Sequence, residues 1–279
     1  MLIDFHTHTF PPHIARRAIE GMQANTHAQA FLDGTASDLT ASMGRAGVTR
    51  SVVLPVATNP EKLQSMNAAS IANNGKDGLV YFGAMHPQAE NWLQELKALA
   101  AAGIRGIKLH PFYQNTDIDD IRTLRILEKA GELGLLTVIH AGDEIACPGQ
   151  VRCSPEMTAK ALRQVGDVPA VLAHMGGWKN WDRVAQSLGP TRCYLDTAIS
   201  LGAIAPLDDG HYTAEALSLL TAEAFTALVR SFGAHRVLFG TDSPWADQQC
   251  EAEKISALPL TQEEKNAIFF ENAQKLLGS

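Results

Sequence analysis

Asp4-Phe5-His6-Thr7-His8 places two histidines one residue apart near the start of the chain. In a strand, side chains alternate faces, so both imidazoles point the same way and can share one metal ion. Taken alone, a His-x-His pair is weak, because such pairs also arise by chance on ordinary surfaces. Repetition adds weight. Thr137-Val138-Ile139-His140 and Val171-Leu172-Ala173-His174 close apolar, β-rich runs, and Phe239-Gly240-Thr241-Asp242 follows another, each bringing a side chain of metal-binding or proton-transferring type. A packed histidine can fall anywhere along a strand, whereas catalytic groups of α/β barrels gather where strands end and loops begin. The pattern therefore predicts a metal centre assembled from several strand ends. The competing reading keeps the same residues as hydrogen-bonding groups in a metal-free barrel.

The elements that must position these residues follow from periodicity. Eight short apolar runs, at 2–6, 50–55, 79–85, 106–110, 135–140, 170–174, 193–197 and 236–240, alternate with longer stretches of helical spacing. Helices are predicted near 13–22, 37–46, 61–74, 89–102, 119–133, 155–165, 178–188 and 213–232. A closing helix is predicted near 262–277, where Thr261 and Glu264 have capping-box spacing. No Gly-rich phosphate loop follows the first run, which favours a closed (β/α)8 barrel over an open doubly wound sheet. No linker or low-complexity stretch divides the chain, so residues 1–279 are expected to form one α/β domain.

The chain of 279 residues is 46% apolar, enough for a sizeable core. Its 30 acidic and 23 basic residues give a formal charge of -7, with no basic run, and nucleic acid is not an expected partner. No secretory leader pattern and no apolar stretch of membrane-spanning length is visible, so a cytoplasmic protein without membrane contact is expected. The four cysteines, Cys147, Cys153, Cys193 and Cys250, contain no C-x-x-C pair and are expected as free thiols. Cys147 and Cys153 bracket one loop, and a bridge between them is the alternative.

The ordered set His6-x-His8, His140, His174-Met175-Gly176-Gly177 and Gly240-Thr241-Asp242-Ser243-Pro244 resembles the amidohydrolase-related metal-dependent hydrolases. The branch in question includes aminocarboxymuconate-semialdehyde decarboxylase, and the resemblance runs from Asp4 to Asn272-Ala273. It implies a (β/α)8 barrel whose divalent ion, most often zinc, is held by His6, His8, His140 and Asp242. It implies for His174 a role as base or hydrogen-bond donor beside one ion, or as a ligand where two ions are present. A two-metal site needs an anionic bridge between cations about 3.5–4 Å apart. The fourth run ends Gly106-Ile107-Lys108-Leu109-His110 without Asp or Glu, so a bridge would require carbamylated Lys108. One ion is expected, with Lys108 as a substrate contact or, alternatively, a partner of Asp196 in an ion pair at the barrel mouth. The sequence itself does not set the oligomeric state; a homodimer is the assembly common among the proteins it resembles.

Further pocket residues are expected around this centre. His110 shares strand parity with Lys108, and His86 likewise precedes a proline at a strand end. The loop from Ala141 to Pro155 is long for a βα connection and is the lid candidate. Its Asp143 and Glu144 are placed to orient a ligand imidazole, and its Arg152 to bind a substrate carboxylate. Trp178 and Trp245, close after His174 and Asp242, are expected as apolar walls, with outer-layer packing as the alternative. The chemistry that follows is metal-assisted hydrolysis of an ester, lactone or amide of a small, carboxylate-bearing acid, with Asp242 shuttling the proton. The same residues also permit non-oxidative decarboxylation of an unsaturated or aromatic acid. A barrel that only binds its ligand is the reading from outside enzymology.

Overall fold

The computed structural model describes residues 1–166 and 168–278. Its strands are β1 (Ile3–Thr7), β2 (Arg50–Val53), β3 (Leu79–Tyr81), β4 (Gly83–Ala84), β5 (Gly106–Leu109), β6 (Leu136–Ile139), β7 (Ala170–Leu172), β8 (Tyr194–Asp196) and β9 (Val237–Leu238). The helices are α1 (Pro12–Thr26), α2 (Ala36–Ala46), α3 (Leu63–Asn73), α4 (Trp92–Ala101), α5 (Ile121–Glu132), α6 (Pro155–Val165), α7 (Val184–Leu188), α8 (Ala214–Leu217), α9 (Ala222–Phe232), α10 (Gln248–Ser256), α11 (Gln262–Asn266) and α12 (Asn272–Leu277). Two compact units are formed, one from Met1–Val53 with the chain from Thr197 onward, the other from Leu54–Asp196.

In the first unit β1 runs parallel to β2, with Ile3 opposite Arg50 and Asp4 opposite Ser51. The register slips before Thr7 meets Val53. Such irregularities bend a strand and re-aim its side chains, and this one falls between Asp4 and Thr7, the stretch that carries His6. The Phe5 amide donates to the Phe239 carbonyl at 2.7 Å, and the Thr7 hydroxyl donates to the Val52 carbonyl at 2.8 Å. Beneath them Phe5, Phe225, Phe239 and Ile268 are fully buried.

The second unit is a parallel array of β4, β5, β6, β7 and β8 in sequence order. Lys108 lies level with Val138, and Val138 level with Val171. Both faces of β5, β6 and β7 are buried, as expected where helices cover a parallel sheet. Gly106 is required by close approach. A Cβ there would lie 2.4 Å from both the Leu136 carbonyl oxygen and the Phe82 ring.

The expected strand and helix alternation is present, with five departures. The helix expected over 178–188 is α-helical only over Val184–Leu188, after a tighter 3-10 turn at Trp181–Arg183. The run 79–85 breaks at buried Phe82 into β3 and β4. The helix expected over 213–232 is two helices, because Leu219 and Leu220 spend their amides on Gly202 and Ser200 and Thr221 caps a fresh start. The closing helix starts with the expected Thr261–Glu264 capping box but passes through a wider π turn over residues 267–271. Helix α10 was not expected: its buried stripe, Gln248, Glu251 and Ile255, has helical spacing but two polar members. Cys147, Cys153, Cys193 and Cys250 are all free thiols. No helix among the described residues is long and apolar enough to cross a membrane.

Gly106→Ala is expected to lower unfolding stability by about 1–3 kcal/mol, since the carbonyl it meets cannot move aside as a flexible side chain can. Urea unfolding followed by circular dichroism checks this. Gly103→Ala, where a Cβ meets nothing within 4 Å, strains only a φ of +75° and should cost less.

Candidate metal centre

Within the first unit, β1 and the turn after β9 bring three ligand-type atoms together. His6 Nε2 lies 3.1 Å from His8 Nε2 and 3.3 Å from Asp242 Oδ1, and His8 Nε2 lies 2.9 Å from the same oxygen. Zinc bonds of about 2.0–2.1 Å in a tetrahedral arrangement place donors about 3.3 Å apart. The triangle therefore has the size of a cation-binding set. Two imidazole nitrogens facing one carboxylate oxygen also have the chemistry of such a set.

Backbone conformation puts Asp242 there. Its φ is +65°, a left-handed value uncommon for residues other than glycine. The turn is tied to β1, with Asp242 N–H donating to the His6 carbonyl at 2.8 Å and His8 N–H to the Ser243 carbonyl at 2.7 Å. Beside it, Asp4 is wholly buried and accepts hydrogen bonds from the amides of His6 and Thr241, the Thr241 hydroxyl and the Gln248 side chain. Burial pushes the Asp4 carboxyl up to about 7, while these donors pull it toward the ionised form.

The second unit gathers His110, His140 and His174. His174 Nε2 lies 3.1 Å from His140 Nδ1, and the His174 backbone, with φ +57°, is anchored by its N–H to Asp196 Oδ1 at 2.9 Å. His110 stacks on His140 with ring centres 3.9 Å apart at 14°, and Tyr113 stacks on the outer face of His110. Glu144 is buried, with Oε2 3.5 Å from His140 Nε2 and 3.8 Å from His110 Nε2. These three residues form a second group of ligand-type atoms. Near-parallel rings present their nitrogens side by side, so an ion in the plane of one ring lies off the plane of the other. The group is better suited to holding His140 in place. Burial, then the neighbouring His110, His174 and Lys108, holds the His140 pKa well below that of a free histidine, leaving the neutral imidazole that metal ligation requires.

Other residues singled out in the sequence take distinct positions. Lys108 is buried to 1% exposure in mid-sheet. Arg152 pairs with Asp117 at 2.8 Å and with Asn115 at 2.5 Å, so its guanidinium is committed within the loop region. Trp178 is buried, its backbone bridged to Ala141 and Asp143, while Trp245 is half-buried. Gly142, with φ +97°, allows that bridge, since a Cβ would fall 2.1 Å from the Trp178 nitrogen. Of the two acids on the 141–155 loop, Glu144 reaches the imidazoles, whereas the Asp143 carboxylate accepts from the amides of Glu144 and Gly149 and orders the loop itself. His86 is buried and its Nδ1 accepts from Gln88 N–H at 3.1 Å.

Sequence reasoning passed over Asp4, Thr241, Gln248 and Gln114. Gln114 holds the His110 amide with its Oε1 and donates to the carbonyls of Ala57 and Met85. For Asp4 a signal existed: it shares strand parity with His6 and His8 in a run that is otherwise apolar or ligating. For the glutamines, nothing local marks them.

Strand-end histidines, an aspartate held on a left-handed turn and a parallel sheet are features of metal-dependent enzymes built on barrels. The amidohydrolase family profile matches residues 3–279, and the chain belongs to that family. Its members are metal-dependent, and they include hydrolases and decarboxylases. Among solved structures, an uncharacterised TIM-barrel protein from Bordetella bronchiseptica superposes with a TM-score of 0.73 at 17% identity, covering 99% of this chain and 98% of that one. The 5-carboxyvanillate decarboxylase of Sphingomonas paucimobilis gives 0.68 at 12% identity, covering 99% and 98%. A Pseudomonas putida protein described as a candidate 2-pyrone-4,6-dicarboxylic acid hydrolase gives 0.66 at 18%, covering 99% and 97%. These likenesses make the fold a single (β/α)8 barrel. No curated protein matches the sequence.

Burial lowers the His86 pKa from its ordinary value, so the folded chain holds this imidazole neutral where the unfolded chain takes up a proton. The unfolded state then binds more protons below about pH 6.5, and stability contributed by this site falls on acidification through that value. Thermal melts from pH 7.5 to 5 should show a shallower loss for His86→Asn than for the native chain.

Proposed function

We propose that this protein is a hydrolase that uses one divalent ion, zinc by preference, to cleave an ester, lactone or amide of a small carboxylate-bearing acid. His6, His8, His140 and Asp242 are the proposed ligands. The triangle of His6, His8 and Asp242, with donor separations of 2.9–3.3 Å, is the observation that carries this reading. When bound, a divalent ion supplies Lewis acidity, lowering the pKa of water from 15.7 toward about 7 and polarising a carbonyl oxygen.

The chain's own groups do the rest. The Asp242 carboxylate, fixed by its left-handed backbone, accepts the proton of the attacking water and returns it to the leaving oxygen or nitrogen. His174 donates a hydrogen bond to the carbonyl oxygen as negative charge develops there. Lys108 is the proposed partner of the substrate carboxylate, and Trp178, Trp245 and His110 the flanking surfaces.

Decarboxylation is the second reading, favoured by the buried Lys108, which can hold a carboxylate of the acid while the C–C bond to the departing carboxylate breaks, CO2 leaves and the carbon that keeps the electron pair takes a proton. Relatives such as 5-carboxyvanillate decarboxylase carry out that class of reaction on aromatic acids. Hydrolysis is preferred because Arg152, a second cation of the right reach, is engaged by Asp117 and Asn115.

A panel of lactones, esters and aromatic acids, assayed in parallel for released acid and released carbon dioxide, separates the two reactions. Protein purified without chelator is expected to hold about one equivalent of metal per chain. Less than half an equivalent, with no turnover, leaves a barrel that only binds its ligand. Asp242→Asn is expected to keep most of the metal and lose turnover by about 10²–10⁴-fold, the range of general acid–base catalysis, whereas His6→Ala loses both. Full activity in Asp242→Asn would overturn the proton-transfer role.

A further inference from the structure

Asp4 is 0% exposed, and each of its oxygens is spoken for. Oδ1 accepts from the His6 amide at 3.1 Å and from the Thr241 amide at 3.1 Å. Oδ2 accepts from the Thr241 hydroxyl at 2.6 Å and from Gln248 Nε2 at 2.7 Å. Thr241 Oγ1 in turn accepts from the Ser243 amide at 3.1 Å, and Gln248 Nε2 reaches Ser51 Oγ on β2 at 3.2 Å. One carboxylate thus grips the backbone of His6, the residue before Asp242 and the first turn of α10.

We propose that Asp4 is a positioning residue for the metal site: its carboxylate fixes the separation between the strand bearing His6 and His8 and the turn bearing Asp242. This rests on the metal-binding reading above. A structural filler does not account for the arrangement equally well. An apolar side chain of similar size would leave four N–H or O–H donors without their carboxylate partner, each costing more than the hydrogen bond itself contributes. Three of the four donors sit on His6 itself or on Thr241, one residue from Asp242, and the fourth opens α10. The Asp242 backbone holds an unfavourable φ, and the Thr241 bonds to Asp4 lie immediately before it. Released from them, the turn can relax toward ordinary φ values and carry Oδ1 away from the two imidazoles. Partners beyond the ligands of metal sites typically change metal affinity 10–100-fold when removed.

The experiment measures Zn2+ affinity by competition with a chromophoric chelator for the full chain and its Asp4→Ala, Asp4→Asn and Gln248→Met variants. Thermal melts of each metal-free form run alongside, with Leu99→Ala as a remote core control. Asp4→Ala should weaken zinc binding 10–100-fold and alter the visible spectrum of the Co2+-loaded protein, which reports ligand geometry. Asp4→Asn should lose less than about tenfold, because its oxygen can keep the two amides while Gln248 turns its side-chain amide to accept from the new NH2. Leu99→Ala should melt earlier yet bind zinc normally, which separates positioning from general loosening. If Asp4→Ala does not fold, Gln248→Met, which removes a single donor to Oδ2, is expected to weaken binding severalfold. Native affinity and an unchanged Co2+ spectrum in the folded variants would overturn the role of Asp4 alone. Failure of the unmodified chain to bind zinc would overturn the metal reading, and this inference with it.

Discussion

Two imidazole nitrogens and a carboxylate oxygen lie within 3.3 Å of one another, and an N–H on either ring can bridge only part of that triangle. A proton on one imidazole satisfies one contact at a time. A divalent cation satisfies all three at once, and much of the surrounding structure serves to keep the three atoms together. The bent register of β1 aims the histidines, the reciprocal bonds between 6–8 and 242–243 join the turn to the strand, and the buried Asp4 network ties both to α10.

The two residues assigned to proton transfer and carbonyl polarisation, Asp242 and His174, both adopt left-handed backbone angles. For residues with a Cβ that conformation costs on the order of 1–3 kcal/mol and persists only where neighbouring bonds impose it. Here the His6 carbonyl imposes it on Asp242, and the Asp196 carboxylate anchors His174.

In the second unit, order around His140 comes from stacking. Tyr113, His110 and His140 form a column of rings, Gln114 fixes the backbone of His110, and Glu144 from the long loop closes over both imidazoles. A buried, neutral His140 follows from that packing, because the low-dielectric surroundings and nearby cationic groups both disfavour its charged form. The loop is held shut at its base by Gly142 paired with Cys153 and by the Trp178 bridge, so its acids are presented by a framework rather than by a free strap.

Alternation of apolar runs with helical spacing made the barrel legible in the sequence, because strand and helix periods are local properties of the chain. The ligating types at strand ends, His6, His8, His140, His174 and Asp242, were visible for the same reason: position along a strand predicts position in the fold. What escaped was whatever depends on side chains meeting across long stretches of chain. The polar stripe of α10 has no amphipathic signature, and Gln248 has meaning only once Asp4, 244 residues earlier, is beside it. Arg152 was a reasonable carboxylate binder by type, yet which acid it would meet was decided by the fold, which put Asp117 and Asn115 within reach. Residue type and local period specify which atoms can do the chemistry; distances and the partners that hold them exist only after the chain has closed on itself.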